Sequence, residues 1–366
     1  MRPRDDIGVT DSSNRVPASE RAAFTAGEGG TIVPSPLGTK DKDNDKPRPS
    51  LGKRLRYRVE ALGLGAAETI IPKLPRDVAL GFGGLMGWLA YAVLREDRRV
   101  AYANLDIVFG ETKTRREKRR IVRGTFQNIA ANAIWMFWGP RLTKESIRQY
   151  VEVDESNRGW FNEQRASGRG MILITPHYGD WELLNLASGF LGATYTGVAE
   201  PTKNPTIEAT VSRLRSHSGH TMVHPRFAVV KLYKAVSRGG IVGIVVDVNA
   251  RRGRGGVWLD FFGLKVFNTA AVAELARRTG STIVFGAAHP LPGRRIRIQF
   301  GPEIPVDDTG NDERDVQTTS QRCLDECAKL IRAAPDHWLW TYKRWKRRPS
   351  AERWGYPFYS KYDPNT

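Results

Sequence analysis

The sequence is short of cysteine and of acidic residues. Only two cysteines, Cys323 and Cys327, occur among the 366 residues, and both lie in one helix-like segment. This arrangement makes neither a disulfide framework nor a cysteine-rich metal site, so we expect a reducing, cytosol-facing compartment and no bound metal. The chain has 57 Lys and Arg against 39 Asp and Glu, a formal net charge of +18. An excess of this size favours an anionic partner.

Several motifs that define common enzyme and binding classes are also missing. The sequence contains no G-x-x-x-x-G-K-[ST] loop, no H-E-x-x-H helix and no G-x-S-x-G elbow. Nucleotide hydrolysis, zinc proteolysis and serine hydrolysis therefore lose their main support. The basic aromatic stretch 338–348 has residues that stack on bases, but it equally fits an amphipathic interfacial helix. Because no RRM, KH or helix-turn-helix pattern accompanies it, we predict no nucleic-acid partner.

The first fifty residues lack the composition of a folded domain. Residues 1–50 carry eight basic and eight acidic residues, six prolines and a single aromatic, Phe24. This composition, without a sustained apolar period, predicts a disordered tail at 1–50. Because that segment is neutral, the whole charge of +18 belongs to residues 51–366.

Long hydrophobic runs are nearly absent as well. The main candidate is 78–94, which has 17 residues without a charge, four glycines among them, and basic residues on both sides. Seventeen residues is the lower limit for crossing a bilayer. Trp88 and Tyr91 suit the headgroup zone and the basic flanks suit anionic lipid. We predict a membrane-anchoring helix within a membrane-associating helical region at 51–110, with a buried core helix as the alternative.

From about residue 170, β-rich runs alternate with helix-like stretches. The strand-like runs are 171–175, 241–247, 282–288 and 295–300, and the helix-like stretches are 206–217, 227–237, 269–279 and 314–333. This alternation predicts an α/β fold with a mixed, largely parallel sheet flanked by helices. We place that domain at 111–349 and a C-terminal tail at 350–366.

The most informative segment is GMILITPHYGDWELLNLASGF at 170–190. An apolar β-type run ends at Pro176, a turn follows through His177, and a helix-like pattern resumes with Asp180 as its expected N-cap and Glu182 in its first turn. The turn removes the angular separation that His177 and Glu182 would have on one continuous helix. We therefore expect the imidazole and the carboxylate to meet.

A histidine held by a carboxylate fits general-base catalysis. The carboxylate fixes the tautomer and stabilises the imidazolium that forms when a hydroxyl proton is taken. Since no nucleophile motif is nearby, the hydroxyl would belong to the substrate, and backbone N–H groups at the helix N-terminus would bind the developing oxyanion. The alternative is structural: His177 merely caps a loop, and Glu182 is a solvated acid favoured by the helix dipole.

The segment His177-Tyr-Gly-Asp-Trp-Glu182 resembles the H-x-x-x-x-[DE] motif of the glycerolipid acyltransferase superfamily, and more particularly the lipid A late acyltransferases of Gram-negative bacteria. The resemblance runs from about 75 to 348 through eight blocks in the same order. They are RRVAYANLDIVFG (98–110), the His–Glu motif, KNP (203–205), SRLRSHSG (212–219), GIVVDVN (243–249), FFG (261–263), AELARRTGSTIV (273–284) and APDHWLWTYKRWKRRP (334–349).

The resemblance implies an α/β acyltransferase, anchored near its N-terminus at the cytoplasmic face of the bacterial inner membrane. Such an enzyme moves a fatty acyl chain from an acyl carrier protein thioester to a hydroxyl of an anionic glycolipid, here a lipid A precursor, without a metal or redox cofactor. The resemblance assigns His177 as general base and Glu182 as its partner. It places Arg213, Asp247 and Asn249 in substrate binding. The alternatives without a functional role are that Arg213 is a charge on a helix surface and that Asp247 is an N-cap residue.

Two departures from the family pattern leave the acceptor lipid open. Lipid A enzymes commonly have Y-R-P where this chain has Ala199-Glu200-Pro201, and their D-x-D is here Asp247-Val-Asn249. A glutamate in place of an arginine weakens attraction to a phosphorylated acceptor. A lysophospholipid, a mannosylated phosphoinositide or an ornithine-type lipid therefore remains an alternative acceptor. The rival from another class is a non-catalytic basic protein that binds membranes or nucleic acid.

Overall fold

Helices dominate the first part of the chain that the structure describes. The structure is a computed structural model that describes residues 51–363 except 200, 201, 203, 226, 227, 252–254 and 352. The predicted tail at 1–50 and the departure at Glu200 lie outside the described residues. The α-helices of the described part are α1 (Leu51–Ile70), α2 (Arg76–Val93), α3 (Arg95–Phe109), α4 (Arg115–Trp138), α5 (Glu155–Ala166), α6 (Trp181–Phe190), α7 (Pro205–Arg215), α8 (Ala228–Val236), α9 (Ala271–Thr279) and α10 (Asp312–Ala333).

A seven-stranded sheet organises the second part. The described strands are β1 (Val151–Val153), β2 (Met171–Thr175), β3 (Thr196–Val198), β4 (Thr221–Val223), β5 (Ile241–Val245), β6 (Gly256–Phe261), β7 (Leu264–Thr269), β8 (Thr282–Leu291), β9 (Arg295–Ile304), β10 (Arg347–Arg348) and β11 (Lys361–Tyr362). The large sheet has the order β1-β9-β8-β2-β5-β3-β4. Its neighbours are parallel except β8 and β9, which are antiparallel. The predicted mixed, largely parallel α/β fold is confirmed.

Residues on both faces of the central strand are buried, as expected of a parallel sheet covered by helices. Ile172 and Ile174 of β2 join the core cluster that contains side chains of α8, α9 and α10. Met171 and Leu173, on the other face, pack with Phe161 of α5. This double burial explains why the strand is a continuous apolar run rather than an alternating one.

The register of β2 and β5 determines where the site lies. The two strands are parallel, and the last residue of β2, Thr175, is paired with the last residue of β5, Val245. The segments that follow them, which begin at Pro176 and Val246, therefore leave the same edge of the sheet side by side. His177 and Asp247 stand on these two segments.

Sequence patterns did not reveal the hairpin of β6 and β7. The two strands are antiparallel, with Phe261 paired to Leu264. The two residues between them have positive φ, 54° at Phe262 and 81° at Gly263. A two-residue hairpin turn needs this left-handed backbone, which glycine adopts readily and phenylalanine rarely does.

The apolar segment predicted to anchor the protein forms α2, which packs along α4. A Cβ atom at Gly83 would lie 2.7 Å from Ile134 Cγ1, and one at Gly87 would lie 2.8 Å from Phe126 O. These two glycines therefore allow the helix axes to approach closely. Large apolar side chains on the rest of the helix surface are exposed, namely Val78, Phe82, Leu85, Met86, Trp88, Leu89 and Val93.

The described residues include no single helix that combines the length and apolarity needed to cross a membrane. Only the pair 76–93 and 95–112, bent by 88° at the break between them, meets the length and composition test when taken together. The membrane-anchoring helix stays a prediction.

The segment predicted as a C-terminal tail packs onto the domain as far as it is described. The two residues of β11 pair in parallel with β10. Tyr359 is buried, and its hydroxyl donates a hydrogen bond to Asn104 Oδ1 on α3. The end of the chain thereby ties the N-terminal helices to the strands that follow the site.

Candidate active site

The predicted strand, turn and helix around His177 are present as β2, a turn and α6. Gly179 has φ +58°, and a Cβ atom there would lie 2.8 Å from Ala288 O. Its N–H donates to His337 O at 3.0 Å and its carbonyl accepts from Asn132 Nδ2 at 2.9 Å. The turn is therefore fixed from two sides, which holds His177 at the end of the central strand.

Asp247 is the carboxylate that holds His177. The imidazole Nδ1 is 3.0 Å from Asp247 Oδ1, and the backbone N–H of His177 donates to Asp247 Oδ2 at 2.9 Å. Trp338 Nε1 donates to the same Oδ2 at 2.9 Å. The Asp247 side chain is 3% exposed, whereas that of His177 is 28% exposed. One face of the imidazole is thus fixed in the protein while the ring reaches solvent.

Each member of this pair favours the charged form of the other. Burial lowers the pKa of His177, but the Asp247 charge and its hydrogen bond outweigh burial, and the net pKa is raised. Burial raises the pKa of Asp247, but His177 and the Trp338 N–H outweigh it, and the net pKa is lowered. With Asp247 ionised, Nδ1 carries the shared proton and Nε2 is the nitrogen left to accept another.

The structure does not contain the predicted hydrogen bond between His177 and Glu182. The Glu182 carboxylate is taken by Arg215, the last residue of α7: Arg215 Nη2 is 2.5 Å and Nε 3.0 Å from Glu182 Oε1. The Glu182 side chain is 4% exposed. The carboxylate therefore faces α7 from the first turn of α6, and Asp247 takes the place at the imidazole.

The Glu182–Arg215 pair nevertheless lies beside His177. The Arg215 charge lowers the pKa of His177 and the Glu182 charge raises it, so both are close enough to act on the imidazole. Burial lowers the pKa of Arg215, but Glu182 outweighs burial and the net pKa is raised. Arg215 therefore stays cationic next to the imidazole.

Arg213 does not reach the site around His177, whereas its neighbour Arg215 does. Arg213 is 59% exposed and its guanidinium pairs with Glu68 on α1, while Arg215 pairs with Glu182. The predicted substrate-binding role of Arg213 stays a prediction. Residues two apart on a helix point about 200° apart, so Arg213 and Arg215 cannot share one face. The motif contains both arginines. The sequence does not show which of them faces α6, because that depends on how α7 is rotated about its axis.

Asn249 is used to hold the C-terminal segment. Its Nδ2 donates to Lys343 O at 3.0 Å, and its Oδ1 accepts from Arg344 Nη1 at 3.1 Å. Arg344 is fully buried and also donates to Asn268 Oδ1 at 2.8 Å. The predicted substrate-binding role of Asn249 stays a prediction.

The basic aromatic stretch at 338–348 is not an amphipathic helix. It runs through turns and a short strand, and all three of its tryptophans, Trp338, Trp340 and Trp345, are buried. Trp338 Nε1 donates to Asp247, so this stretch lies beside the site. The interpretation as an amphipathic interfacial helix is wrong.

Helix α6 takes its cap from α4. The expected cap residue, Asp180, occupies the N-cap position without a side-chain cap hydrogen bond. Asn132 Oδ1 instead accepts the Glu182 N–H at 2.9 Å. That N–H is therefore not available to an oxyanion. Oxyanion binding by the other N–H groups at this helix N-terminus stays a prediction.

Asp180 is buried with little compensation. Its side chain is 4% exposed and Arg294 Nη1 is 3.8 Å from Oδ1. Neither Asp180 Oδ1 nor Trp135 Nε1 has a partner with acceptable hydrogen-bond geometry among the described residues. Burial raises the pKa of Asp180 and outweighs the lowering by Arg294 and the Trp135 N–H, so the net pKa rises from 3.8 to about 6.

Replacing Asp180 by asparagine is expected to stabilise the protein above pH 6. A carboxyl whose folded pKa exceeds its unfolded pKa makes the folded state bind more protons, so stability falls as pH rises from about 4 to about 6. A rise of about two pKa units costs about 3 kcal/mol at higher pH. Denaturant unfolding should show that gain for Asp180→Asn near pH 8 and almost none near pH 4. Equal stability of the two proteins near pH 8 would contradict this.

The described residues offer no group of three or more His, Cys, Asp or Glu side chains placed to hold a metal ion. The site contains a histidine, the buried carboxylate that holds it, and a neighbouring ion pair. This arrangement can remove a proton from a hydroxyl that reaches His177 Nε2.

Comparison with known proteins gives consistent results over most of the chain. A family profile described as "Bacterial lipid A biosynthesis acyltransferase" matches residues 49–347. The chain is 26% identical over 306 residues to the lipid A biosynthesis lauroyltransferase of Escherichia coli strain K12, covering 80% of this chain and 93% of that protein. It is 25% identical over 311 residues to the lipid A biosynthesis palmitoleoyltransferase of the same organism, covering 81% and 94%. It is 24% identical over 302 residues to the phosphatidylinositol mannoside acyltransferase of Mycolicibacterium smegmatis, again covering 81% and 94%.

Proposed function

The chain belongs to the bacterial lipid A biosynthesis acyltransferase family, and from that premise we propose its reaction. It transfers a fatty acyl chain from an acyl carrier protein thioester to a hydroxyl of an anionic membrane glycolipid, a lipid A precursor. The observation that carries this proposal is the solvent-reaching imidazole of His177 fixed on a buried, ionised Asp247 at the end of the central strand. Similarity to a lauroyltransferase and a palmitoleoyltransferase of lipid A biosynthesis supports it.

In the proposed mechanism His177 is the general base. Its Nε2 takes the proton of the acceptor hydroxyl as the oxygen attacks the thioester carbonyl, forming the new C–O bond and an oxyanion. The imidazolium is stabilised by the Asp247 carboxylate on Nδ1. When the tetrahedral intermediate collapses, the C–S bond breaks and His177 returns the proton to the leaving thiolate. The products are one ester and one free thiol, and His177 is returned to its starting protonation state.

The Glu182–Arg215 pair has a supporting role in this mechanism. Arg215 is 33% exposed and cationic beside the imidazole. It is placed to stabilise negative charge that develops near His177, which a guanidinium does through several donors. Glu182 fixes the guanidinium in that position. In this proposal Arg215 acts at the site for which the family resemblance suggested Arg213.

We place the reaction at the cytoplasmic face of the inner membrane. Support comes from the exposed apolar surface of α2 and from α1, on which Leu51, Leu55, Val59 and Leu62 are more than half exposed. Apolar area of this extent next to a strongly basic domain suits contact with anionic lipid. The basic domain also suits an acidic carrier protein as donor.

A second acceptor is favoured by one specific observation. The mycobacterial phosphatidylinositol mannoside acyltransferase aligns over the same share of the chain, and with nearly the same identity, as the lipid A enzymes. A mannosylated phosphoinositide is therefore the second candidate acceptor. Both candidates are anionic glycolipids with free hydroxyls, so His177 and Asp247 keep the same roles.

The proposed function is tested by acyl transfer in detergent with purified protein. Acyl carrier protein thioesters of several chain lengths are supplied with a lipid A precursor, a phosphatidylinositol mannoside and a lysophospholipid in competition. We expect mass spectrometry to show the lipid A precursor heavier by one acyl chain. Preferential acylation of the mannoside would select the second candidate. Absence of any acylated lipid, with the protein folded, would contradict acyl transfer to lipids of these classes.

A further inference from the structure

Helix α7 connects α1 to the candidate active site. At its C-terminal end Arg215 pairs with Glu182 of α6. Asn185 of α6 also holds this end, because its Nδ2 donates to the backbone carbonyl of Arg215 at 3.2 Å. Arg213, on another face of α7, pairs with Glu68 of α1. The two arginines at the end of α7 therefore bind two different helices.

The N-terminal end of α7 is also attached to α1. Asn204 is the N-cap residue of α7, and its Oδ1 accepts the Thr206 N–H at 3.1 Å. Its Nδ2 donates to Tyr57 O and to Glu60 Oε2 of α1, both at 3.2 Å. Asn204 is buried, and each polar atom of its amide has a partner. One side chain thus begins α7 and holds that helix against α1.

The two attachments fix the arrangement of α7 on α1. At a rise of about 1.5 Å per residue, Glu60 and Glu68 are about 12 Å apart along α1, and Asn204 and Arg213 are about 14 Å apart along α7. The contacts follow in the same order at nearly equal spacing, so the two helices run side by side and in parallel. Contacts at both ends of a short helix oppose its rotation about its own axis.

The rotation of α7 decides which arginine reaches the site. Because Arg213 and Arg215 point about 200° apart, half a turn of the helix would exchange them. The Glu182 side chain is almost completely buried and takes its charged partner from α7. With Arg213 held by Glu68, Arg215 is the arginine that faces Glu182.

We infer that Glu68 is a positioning residue of the acyltransferase, which together with Asn204 fixes the rotation of α7 and thereby holds Arg215 beside His177. An exposed ion pair contributes little to stability, so the pair with Arg213 supplies orientation rather than a more stable fold. The kinetic consequence of this inference rests on the proposed function. The position of Arg215 itself is measured without any substrate.

The pKa of His177 reports the position of Arg215. Asp247 and Glu182 raise this pKa, whereas the Arg215 charge lowers it. Loss of Arg215 from the neighbourhood of the imidazole therefore raises the pKa of His177. NMR titration of the full chain with isotope-labelled histidine, in detergent, measures this pKa, and the spectrum of His177→Gln assigns the resonance.

Glu68→Gln is expected to raise the pKa of His177, because Arg215 is then less well held. The electrostatic effect of removing the Glu68 carboxylate alone has the opposite sign, since loss of a negative charge lowers the pKa of an imidazole. The direction of the shift therefore separates positioning from charge. Asn204→Ser keeps a good N-cap residue and changes no charge, but it removes the donor to α1. It should also raise the pKa of His177.

Glu274→Gln is the matched control. Glu274 forms an ion pair with Arg278 on α9, and these side chains are 41% and 65% exposed, against 36% and 59% for Glu68 and Arg213. The pKa of His177 should not change in this variant. The double variant Glu68→Arg with Arg213→Glu restores the ion pair with its charges exchanged. It should return the pKa of His177 to that of the unchanged protein.

Acyl transfer by the same variants separates positioning from contact with the substrate. Glu68→Gln should lower kcat about threefold to fivefold and leave KM within about twofold, because Arg215 acts on charge that develops only during the reaction. The exchanged pair should restore kcat. If Arg213 instead contacted the substrate, the exchanged pair would stay slow, because a carboxylate has replaced the guanidinium.

Three results overturn the inference. The first is a pKa of His177 that is unchanged or lowered in Glu68→Gln, with circular dichroism showing a folded protein. The second is a pKa that does not recover in the exchanged pair, and the third is a kcat that does not recover there. If the unchanged protein transfers no acyl chain, the proposed function fails, while the titration still decides whether Glu68 positions Arg215.

Discussion

Replacing His177 by alanine is expected to lower the rate of acyl transfer by about 10²- to 10⁴-fold, the usual contribution of a general base. Without the imidazole, nothing at the end of β2 takes the proton from the acceptor hydroxyl. The fold should survive, because Asp247 still accepts from the His177 backbone N–H and from Trp338 Nε1. Single-turnover rates with carrier protein thioester and acceptor lipid measure the effect.

His217→Ala provides the matched control, because His217 is an exposed histidine whose ring contacts Phe190 rather than the site. Its rate should equal that of the unchanged protein. In the unchanged protein the rate should rise with pH until His177 is neutral, and the acidic limb should lie above the ordinary histidine pKa, since Asp247 raises the pKa of His177. An undiminished rate in a folded His177→Ala protein would remove His177 from the mechanism.

The sequence predicted the local geometry of the site well, because that geometry depends on neighbouring residues. An apolar run that ends at Pro176, followed by a turn and a helical pattern, was sufficient to place His177 at the end of a buried strand. The helix boundary and the position of Glu182 in the first turn of α6 follow from the same short segment. Such features need only local patterns of hydrophobicity and turn residues.

The partner of His177 depends on information that no local pattern contains. Asp247 is 70 residues away along the chain. It reaches the imidazole only because β2 and β5 are adjacent, parallel and paired end to end. The spacing of the motif predicted Glu182 as the carboxylate that contacts His177, because Glu182 is close in sequence. The order of the strands instead brings Asp247 to the imidazole. Resemblance placed Asp247 in the site without assigning it to the imidazole.

The C-terminal segment illustrates the same limit in a different way. Its tryptophans and basic residues have the composition of an interfacial helix, and neither composition nor resemblance to a family shows which of them are buried. In the structure Trp338, Trp340 and Trp345 are buried, and Arg344 is buried with them against Asn249 and Asn268. Burial of an arginine becomes possible when side-chain acceptors far apart in sequence converge on it.

Asp247→Asn and Glu182→Gln together decide which carboxylate assists His177. Asparagine keeps the shape of Asp247 but cannot stabilise the imidazolium, and replacement of the corresponding charge in a serine protease triad lowers kcat by about 10⁴-fold. We expect a loss of about 10³-fold or more here. The acidic limb of the pH profile should also move to lower pH, since the carboxylate that raises the pKa of His177 is gone.

Glu182→Gln should behave differently, because Glu182 is bound to Arg215 and not to the imidazole. Removing one member of this largely buried pair should lower stability by about 3 kcal/mol, with a loss of rate of only about tenfold through a less well held Arg215. The acidic limb should shift little, because the hydrogen bond between His177 and Asp247 remains. Denaturant unfolding and pH-rate profiles of the two variants separate the roles. If Glu182→Gln instead shows the larger loss of rate and the larger pH shift, then Glu182 assists the base during turnover and the resting pair with Asp247 is structural.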